Sequence, residues 1–276
     1  MQFNPPSFVT IDGRKLAYEE ISPPSPQGTV VLLTGLAAKR QGWYRQMATF
    51  GQNYRTIALD HRDVGDSDPY TEPYGIIDQA DDAATALTAL GVQRAFIVGI
   101  SMGGFIALEL TLRHPEMVEK LVLVSTSAGG HTHVQPAPEM AAMLAAPRDP
   151  NRDIGLMAKE RYTLLMAPGF AESHPDLMEN IAAIARHNPQ SEASYRRQLM
   201  ACLAHDASQR LGNIHVPTLV VHGDSDPLVP MGNGTYLAEH IPGARLIIYP
   251  NTGHISIIER ADEFNRDVLD FLSERR

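Results

Sequence analysis

Ser101 lies in Gly99-Ile100-Ser101-Met102-Gly103-Gly104, a G-x-S-x-G pattern. An apolar run over 95–98 leads in and a helical pattern over 105–110 leads out. A buried strand therefore ends, turns sharply and becomes a helix, with the serine at the apex and small residues on either side to let neighbouring elements approach. A hydroxyl is a weak nucleophile. To attack a carbonyl it needs a base within hydrogen-bond reach, and the base needs an acid to orient it. At such an elbow the chain order is serine, acid, histidine. The apolar run ending at Gly223 is followed by Asp224-Ser225-Asp226-Pro227, and the last apolar run by Asn251-Thr252-Gly253-His254. His254 is the candidate base. Asp226, three residues past Gly223 and deeper into its loop, is preferred to Asp224 as the acid. The loop 125–129 offers no carboxylate. A tetrahedral oxyanion also wants two fixed N–H donors. The Met102 amide opens the helix, where the dipole adds to the field. The second donor is expected from Leu36, in the loop after the apolar run 30–33.

These residues need a scaffold that brings distant loops together. Hydrophobic content of 43% and charged content of 20% allow a sizeable core, and 276 residues suit one α/β unit. Residues 8–11 and 15–19 flank Asp12-Gly13 as a hairpin. Strands are expected over 29–33, 54–59, 95–98, 118–124, 216–223 and 244–249, with helices near 43–50, 76–90, 231–240 and 259–272. Continuous apolar strands alternating with helices imply a mostly parallel sheet covered on both faces, with the site beyond the carboxyl ends of the strands. Thr34-Gly35, Asp60, Ser101 and Ser125 all fall at such ends.

From Gly129 to Gly212 the alternation stops and helical stretches follow, near 137–146, 153–166, 175–187 and 192–204. A helical insertion between two strands reads as a lid over the site. Six methionines lie there, Met140, Met143, Met157, Met166, Met178 and Met200, most of them read as packing between helices and some as an adaptable apolar lining with Tyr162, Phe170 and Tyr195.

A net charge of −9 without a long acidic block argues against nucleic acid or an anionic membrane as partner. No apolar run reaches the length of about 18 residues that spans a bilayer. The start, Met1 to Pro6, lacks the charged and apolar regions of a secretory signal. A lone cysteine, Cys202, forms no internal disulfide, fits a reducing cytoplasm, and reads as a small core hydrophobe. His131 and His133 form an H-x-H pair with no acidic or thiol cluster beside it, so metal binding is not expected. His222 precedes the acid loop and reads as structural support.

The elbow, the loop Asp60-His61-Arg62-Asp63-Val64-Gly65-Asp66-Ser67, Gly223-Asp224-Ser225-Asp226 and Gly253-His254 stand in the order and spacing of the α/β-hydrolase superfamily, which the whole chain resembles. The chain looks most like small bacterial esterases of the aclacinomycin methylesterase and 3-oxoadipate enol-lactonase kind. That resemblance implies an eight-stranded, mostly parallel sheet flanked by helices. It implies a core of residues 1–127 and 213–276, a helical cap of residues 128–212 inserted after the sixth strand, and a Ser101–Asp226–His254 triad. It implies a small ester or lactone as substrate and no metal or organic cofactor; the oligomeric state, monomer or homodimer, stays open. Dehalogenases and epoxide hydrolases of similar fold carry aspartate at the elbow, where this chain has Ser101. Carbon–carbon bond hydrolases use the same triad with cationic cap residues, for which Arg161, Arg186, Arg196 and Arg197 are candidates. Cofactor-free perhydrolase or haloperoxidase activity and a binding protein on the same fold remain as alternatives. The chain departs from many relatives at Thr34, where they carry histidine, and at Asp63, where they carry glycine. The second change is expected to alter only loop support.

Overall fold

The computed structural model describes residues 5–274, so Met1 to Asn4, most of the stretch read for a secretory signal, lie outside the described residues. In chain order the strands are β1 (Ser7–Ile11), β2 (Arg14–Ile21), β3 (Thr29–Leu33), β4 (Arg55–Leu59), β5 (Ala95–Ile100), β6 (Val118–Val124), β7 (Thr218–Gly223) and β8 (Arg245–Tyr249). The helices of the core are α1 (Tyr44–Phe50), α2 (Ile76–Ala89) and α3 (Met102–Arg113). Between β6 and β7 come α4 (Pro138–Ala145), α5 (Ile154–Leu165), α6 (Phe170–Ser173), α7 (Pro175–Arg186) and α8 (Glu192–Leu203), and after β7 come α9 (Gly232–His240), α10 (Ser256–Glu259) and α11 (Ala261–Ser273). The helix expected over 259–272 is α11, and the short helices α6 and α10, of four residues each, had no sequence signal.

All eight strands form one sheet in the order β1-β2-β4-β3-β5-β6-β7-β8. The hairpin strand β2 runs antiparallel to β4, and every pairing from β4 to β8 is parallel. Side chains alternate across the sheet with a period of two. Val31 and Leu33 accordingly pack with α2, α3 and α9 on one face, while Val30 and Leu32 pack with α1, α10 and α11 on the other. Ile57, Ile97, Leu87 and Phe264 are fully buried. Each such side chain contributes roughly 1.5–3 kcal/mol relative to exposure.

Chain order reverses beside β3, whose neighbours are β4 on one side and β5 on the other. Such a reversal opens a crevice at the carboxyl ends of the strands. The loops after β3 and β5, which carry Leu36 and Ser101, face each other there. The insertion between β6 and β7 contains no strand among the described residues, only a bridge between Gly129 and Asp206 at its base. No helix of the described residues is long and apolar enough to cross a membrane.

Two buried lysines tie this architecture together by the same device. The last carbonyls of a helix lack intrahelical donors, and a cation there also meets the negative end of the dipole. Lys120 of β6 donates to Phe271 O at 2.7 Å, Leu272 O at 3.0 Å and Glu274 O at 2.7 Å, closing α11 against the sheet. Lys39, in the loop after β3, donates to Ile184 O, Ala185 O and His187 O at the end of α7, which joins the helical insertion to the sheet. Burial is the main reason that the Lys39 ammonium titrates low, at about 8.

Candidate active site

Ser101 follows β5 directly and is the N-cap of α3, with φ 55° and ψ −119°. A non-glycine residue held there stores strain on the order of 1–3 kcal/mol. Close packing enforces the elbow. A Cβ on Gly99 would run into the Gly103 carbonyl, and one on Gly103 into the Leu33 carbonyl. The Ser101 carbonyl accepts from Thr126 Oγ1 at 2.8 Å and from the Gly104 amide at 2.9 Å, which fixes the turn. As the first residue of α3, Met102 has an amide without an intrahelical acceptor.

His254 is buried at 3% exposure, and its Nδ1 lies 2.8 Å from Asp226 Oδ2. The other oxygen, Asp226 Oδ1, accepts from the amides of Leu228 at 2.9 Å and Val229 at 2.8 Å. Burial works against the Asp226 carboxylate. The charge of His254 and hydrogen bonds from His222 and His254 outweigh it and hold the carboxyl down at about 2. Asp226 is therefore an ionised acceptor at neutral pH, and Nδ1 of His254 carries the proton between them. His222 supports the acid as expected. It is fully buried, with Nε2 2.7 Å from Val229 O and 3.5 Å from Asp226 Oδ2. Asp224 is exposed, and its Oδ1 accepts from the hydroxyl of its neighbour Ser225.

One residue that sequence reasoning missed frames the histidine loop. Glu259 of α10 accepts from the amides of Ala167 at 2.8 Å, Gly253 at 3.0 Å and Ile255 at 3.2 Å, while the His254 amide donates to Leu165 O at 2.7 Å. The end of α5 is thereby stitched to both sides of His254. Nothing in the spacing of a lone glutamate announces this.

Ser101, Met102, Leu36 and His254 all line one cavity of about 750 Å³ between the sheet edge and the insertion. That volume suits a small organic molecule. Of the six cap methionines, Met143 and Met157 reach the cavity. Met166 and Met178 are buried in the core, and Met200 is 62% exposed. Tyr162 and Tyr195 line the cavity, whereas Phe170 stacks on His174 instead. Cys202 is half-buried, packed against the core as well as lining the cavity wall, and burial pushes its thiol up to about 12, so it offers no thiolate. His133 lines the cavity with Nδ1 2.8 Å from Ser127 Oγ. Among the described residues no group of three or more His, Cys, Asp or Glu is placed to hold a metal.

The candidate arginines divide. Arg186 pairs with Asp153, Arg196 with Glu192 and Arg197 with Asp63, while Arg161 lines the cavity. Arg148, which sequence reasoning passed over, joins it there. The two guanidinium groups lie 4.3 and 5.6 Å from the Tyr195 ring centroid, and neither pairs with a carboxylate among the described residues.

The two departures from the expected pattern also resolve. Thr34 is buried, and its Oγ1 has no hydrogen-bond partner among the described residues. Asp63 takes φ 70°, a conformation that favours glycine, and stays there because it accepts from Tyr70 N, Ser194 Oγ and both Nε and Nη2 of Arg197 at 2.8–2.9 Å. Loop support was the expectation. The structure adds that the same carboxylate grips α8 of the insertion.

Residues 28–261 match the model of the alpha/beta hydrolase fold family. A Comamonas testosteroni protein named 2-hydroxy-6-oxo-6-phenylhexa-2,4-dienoate hydrolase is 32% identical over 261 residues, spanning 89% of this chain and 88% of its own. A Caulobacter sp. (strain K31) protein that carries the name of a carbamate hydrolase is 29% identical over 280 residues, spanning 96% and 97%. The enol-lactonase from Burkholderia xenovorans LB400 superposes with a TM-score of 0.85 at 26% identity, covering 97% of this chain and 100% of that one.

Proposed function

The chain belongs to the α/β-hydrolase family, and we propose that within it this protein is a serine hydrolase of small carboxylic esters, lactones included. The observation that carries the reading is the 2.8 Å pairing of His254 Nδ1 with an ionised Asp226, on a histidine that shares its cavity with Ser101. With Nδ1 protonated, the lone pair of Nε2 is the one available as a base. In the proposed reaction Nε2 takes the Ser101 proton as Oγ adds to the carbonyl. The tetrahedral oxyanion receives the N–H groups of Met102 and Leu36. Collapse expels the alcohol, which takes the proton back from His254. Water then enters, gives a proton to Nε2 and adds to the acyl carbonyl; the bond to Ser101 Oγ breaks, Oγ takes the proton back from Nε2, and the acid leaves. These steps require no metal and no organic cofactor. The working partner is a small ester, with neither nucleic acid nor membrane, in the cytoplasm. Lactone opening by the enol-lactonase it resembles is the same acyl transfer with the leaving alcohol tethered.

The test is hydrolysis of short-chain p-nitrophenyl esters by the wild-type protein and by Ser101→Ala. Turnover that disappears in the variant supports the reading; turnover retained in the variant contradicts it.

One observation favours a second reading, carbon–carbon bond hydrolysis of an acidic diketone, the class in the name of the Comamonas testosteroni relative. Arg148 and Arg161 place on the cavity wall two guanidinium groups that have no carboxylate partner among the described residues, where a substrate carboxylate would neutralise their mutual repulsion. Arg161→Met then raises KM for an acid-terminated substrate about tenfold and leaves neutral esters unchanged. Equal KM values for both substrates in wild type and variant would remove this reading.

A further inference from the structure

The loop that carries Leu36 is a tight turn closed by the Ala38 amide donating to Gly35 O at 3.1 Å. Its third residue, Ala37, has φ 61°, where a side chain is strained and glycine is the usual occupant. Opening of the turn at Ala37 would relieve that strain and carry the adjoining Leu36 N–H out of place. The Ala37 amide is held against such opening because it donates to Gln198 Oε1 at 3.1 Å. Gln198 belongs to α8 of the cap and has no exposed surface. Its own amide is locked, because Nε2 donates to Arg62 O at 3.1 Å and Oε1 also accepts from Gln190 Nε2 at 3.0 Å. Gln190 in turn donates to Asp63 O at 3.1 Å. A cap side chain with a fixed orientation thus holds the core peptide next to the proposed oxyanion donor.

We propose that Gln198 is a positioning residue for the oxyanion site: by accepting from the Ala37 amide it holds the strained turn in the form that presents the Leu36 N–H to the cavity, so that the site is complete only when the cap is seated. The inference rests on the ester-hydrolase reading above. It concerns the transition state and not the ground state, because the oxyanion exists only after Ser101 has attacked.

Three variants are compared by kcat and KM on a p-nitrophenyl ester and by inhibition with a trifluoromethyl ketone, whose adduct with Ser101 places an oxyanion in the same site. Gln198→Met keeps the volume and removes the acceptor. It is expected to lower kcat about ten- to a hundredfold, the range for a donor displaced by a fraction of an ångström to about 1 Å, with KM within about threefold. Inhibitor affinity falls by the same factor as kcat/KM. Ala37→Gly in the Gln198→Met background removes the penalty for positive φ and recovers a substantial part of kcat. A residue that merely packs the cap would not be rescued by deleting a methyl group at position 37. Gln198→Asn, which withdraws the amide by one methylene, gives the same kcat-selective loss if Gln198→Met does not fold. Unchanged kcat in the Gln198 variants, or a rise in KM alone, overturns the proposal while the ester reading stands. Absence of turnover in the wild type overturns both.

Discussion

Replacement of Asp226 by asparagine separates orientation from structure at the proposed triad. Asp226 Oδ1 accepts two backbone amides, from Leu228 and Val229 at 2.9 and 2.8 Å. An asparagine must therefore turn its carbonyl oxygen toward them, because its NH₂ group would face two donors. The NH₂ group is then left pointing at His254 Nδ1, 2.8 Å away in the wild type. Two donors cannot share that contact, so the imidazole is forced to carry its proton on Nε2, the nitrogen that must accept from Ser101. The base is blocked while the backbone bonds survive. Loss of the correct tautomer in such a triad lowers kcat by about 10⁴, equivalent to about 5 kcal/mol of transition-state stabilisation. We therefore expect Asp226→Asn to fold normally and to lose about 10³–10⁴ in kcat with little change in KM. Asp224→Asn, at an exposed carboxylate bonded to Ser225, should stay within about twofold of wild type, as surface changes do. Steady-state kinetics on a p-nitrophenyl ester reads both, with circular dichroism as the check on folding. An Asp226→Asn variant within tenfold of wild type, or an equal loss in Asp224→Asn, would refute the tautomer argument.

Other consequences follow from the same geometry. Gly103→Ala drives a methyl group into the Leu33 carbonyl between α3 and β3, so its unfolding midpoint in urea should drop by an amount equivalent to about 3 kcal/mol or more, whereas a midpoint near wild type would show the elbow to be loosely packed. Asp226 is held down from 3.8 to about 2, so its ionised form stabilises the fold at any pH above about 4, and that contribution disappears as pH falls from 4 through 2. The stability difference between wild type and Asp226→Asn, followed by urea unfolding, should accordingly shrink by roughly 2 kcal/mol between pH 5 and pH 2; a difference independent of pH would count against an ionised Asp226. Asp63→Gly restores the residue that tolerates φ 70° but breaks the bond to Arg197 on α8. Protease cleavage within the cap should accelerate several-fold, and unchanged cleavage would show that this salt bridge does not hold the cap.

The layout of the proposed site was legible because each element that positions it has a local signature. Continuous apolar runs marked β3, β5, β6 and β7, and the matched boundaries at Thr29–Leu33 and Val118–Val124 reflect strands buried on both faces with turn residues directly after them. The insertion was legible as the place where those runs stop. Its interior was not. Whether Met143 or Met200 faces the cavity depends on how α4 and α8 rotate against the core, and a methionine pattern is silent on that rotation. Arg148, Glu259 and Gln198 escaped notice for a related reason. Each acts through a partner more than 35 residues away or on another element, and hydrogen bonds of that reach leave no periodicity. Asp63 stood out as a departure from glycine, yet its hold on Arg197 became visible only with α8 in place.

Labelling with a fluorophosphonate, followed by mass spectrometry of the digested protein, tests the central claim most directly. The reagent phosphonylates an activated serine hydroxyl and expels fluoride. A single adduct on the peptide bearing Ser101, formed in wild type and slowed by orders of magnitude in Asp226→Asn, is the result the account predicts. Wild-type protein that turns over esters without any adduct on Ser101, or that labels equally fast in Asp226→Asn, would contradict it.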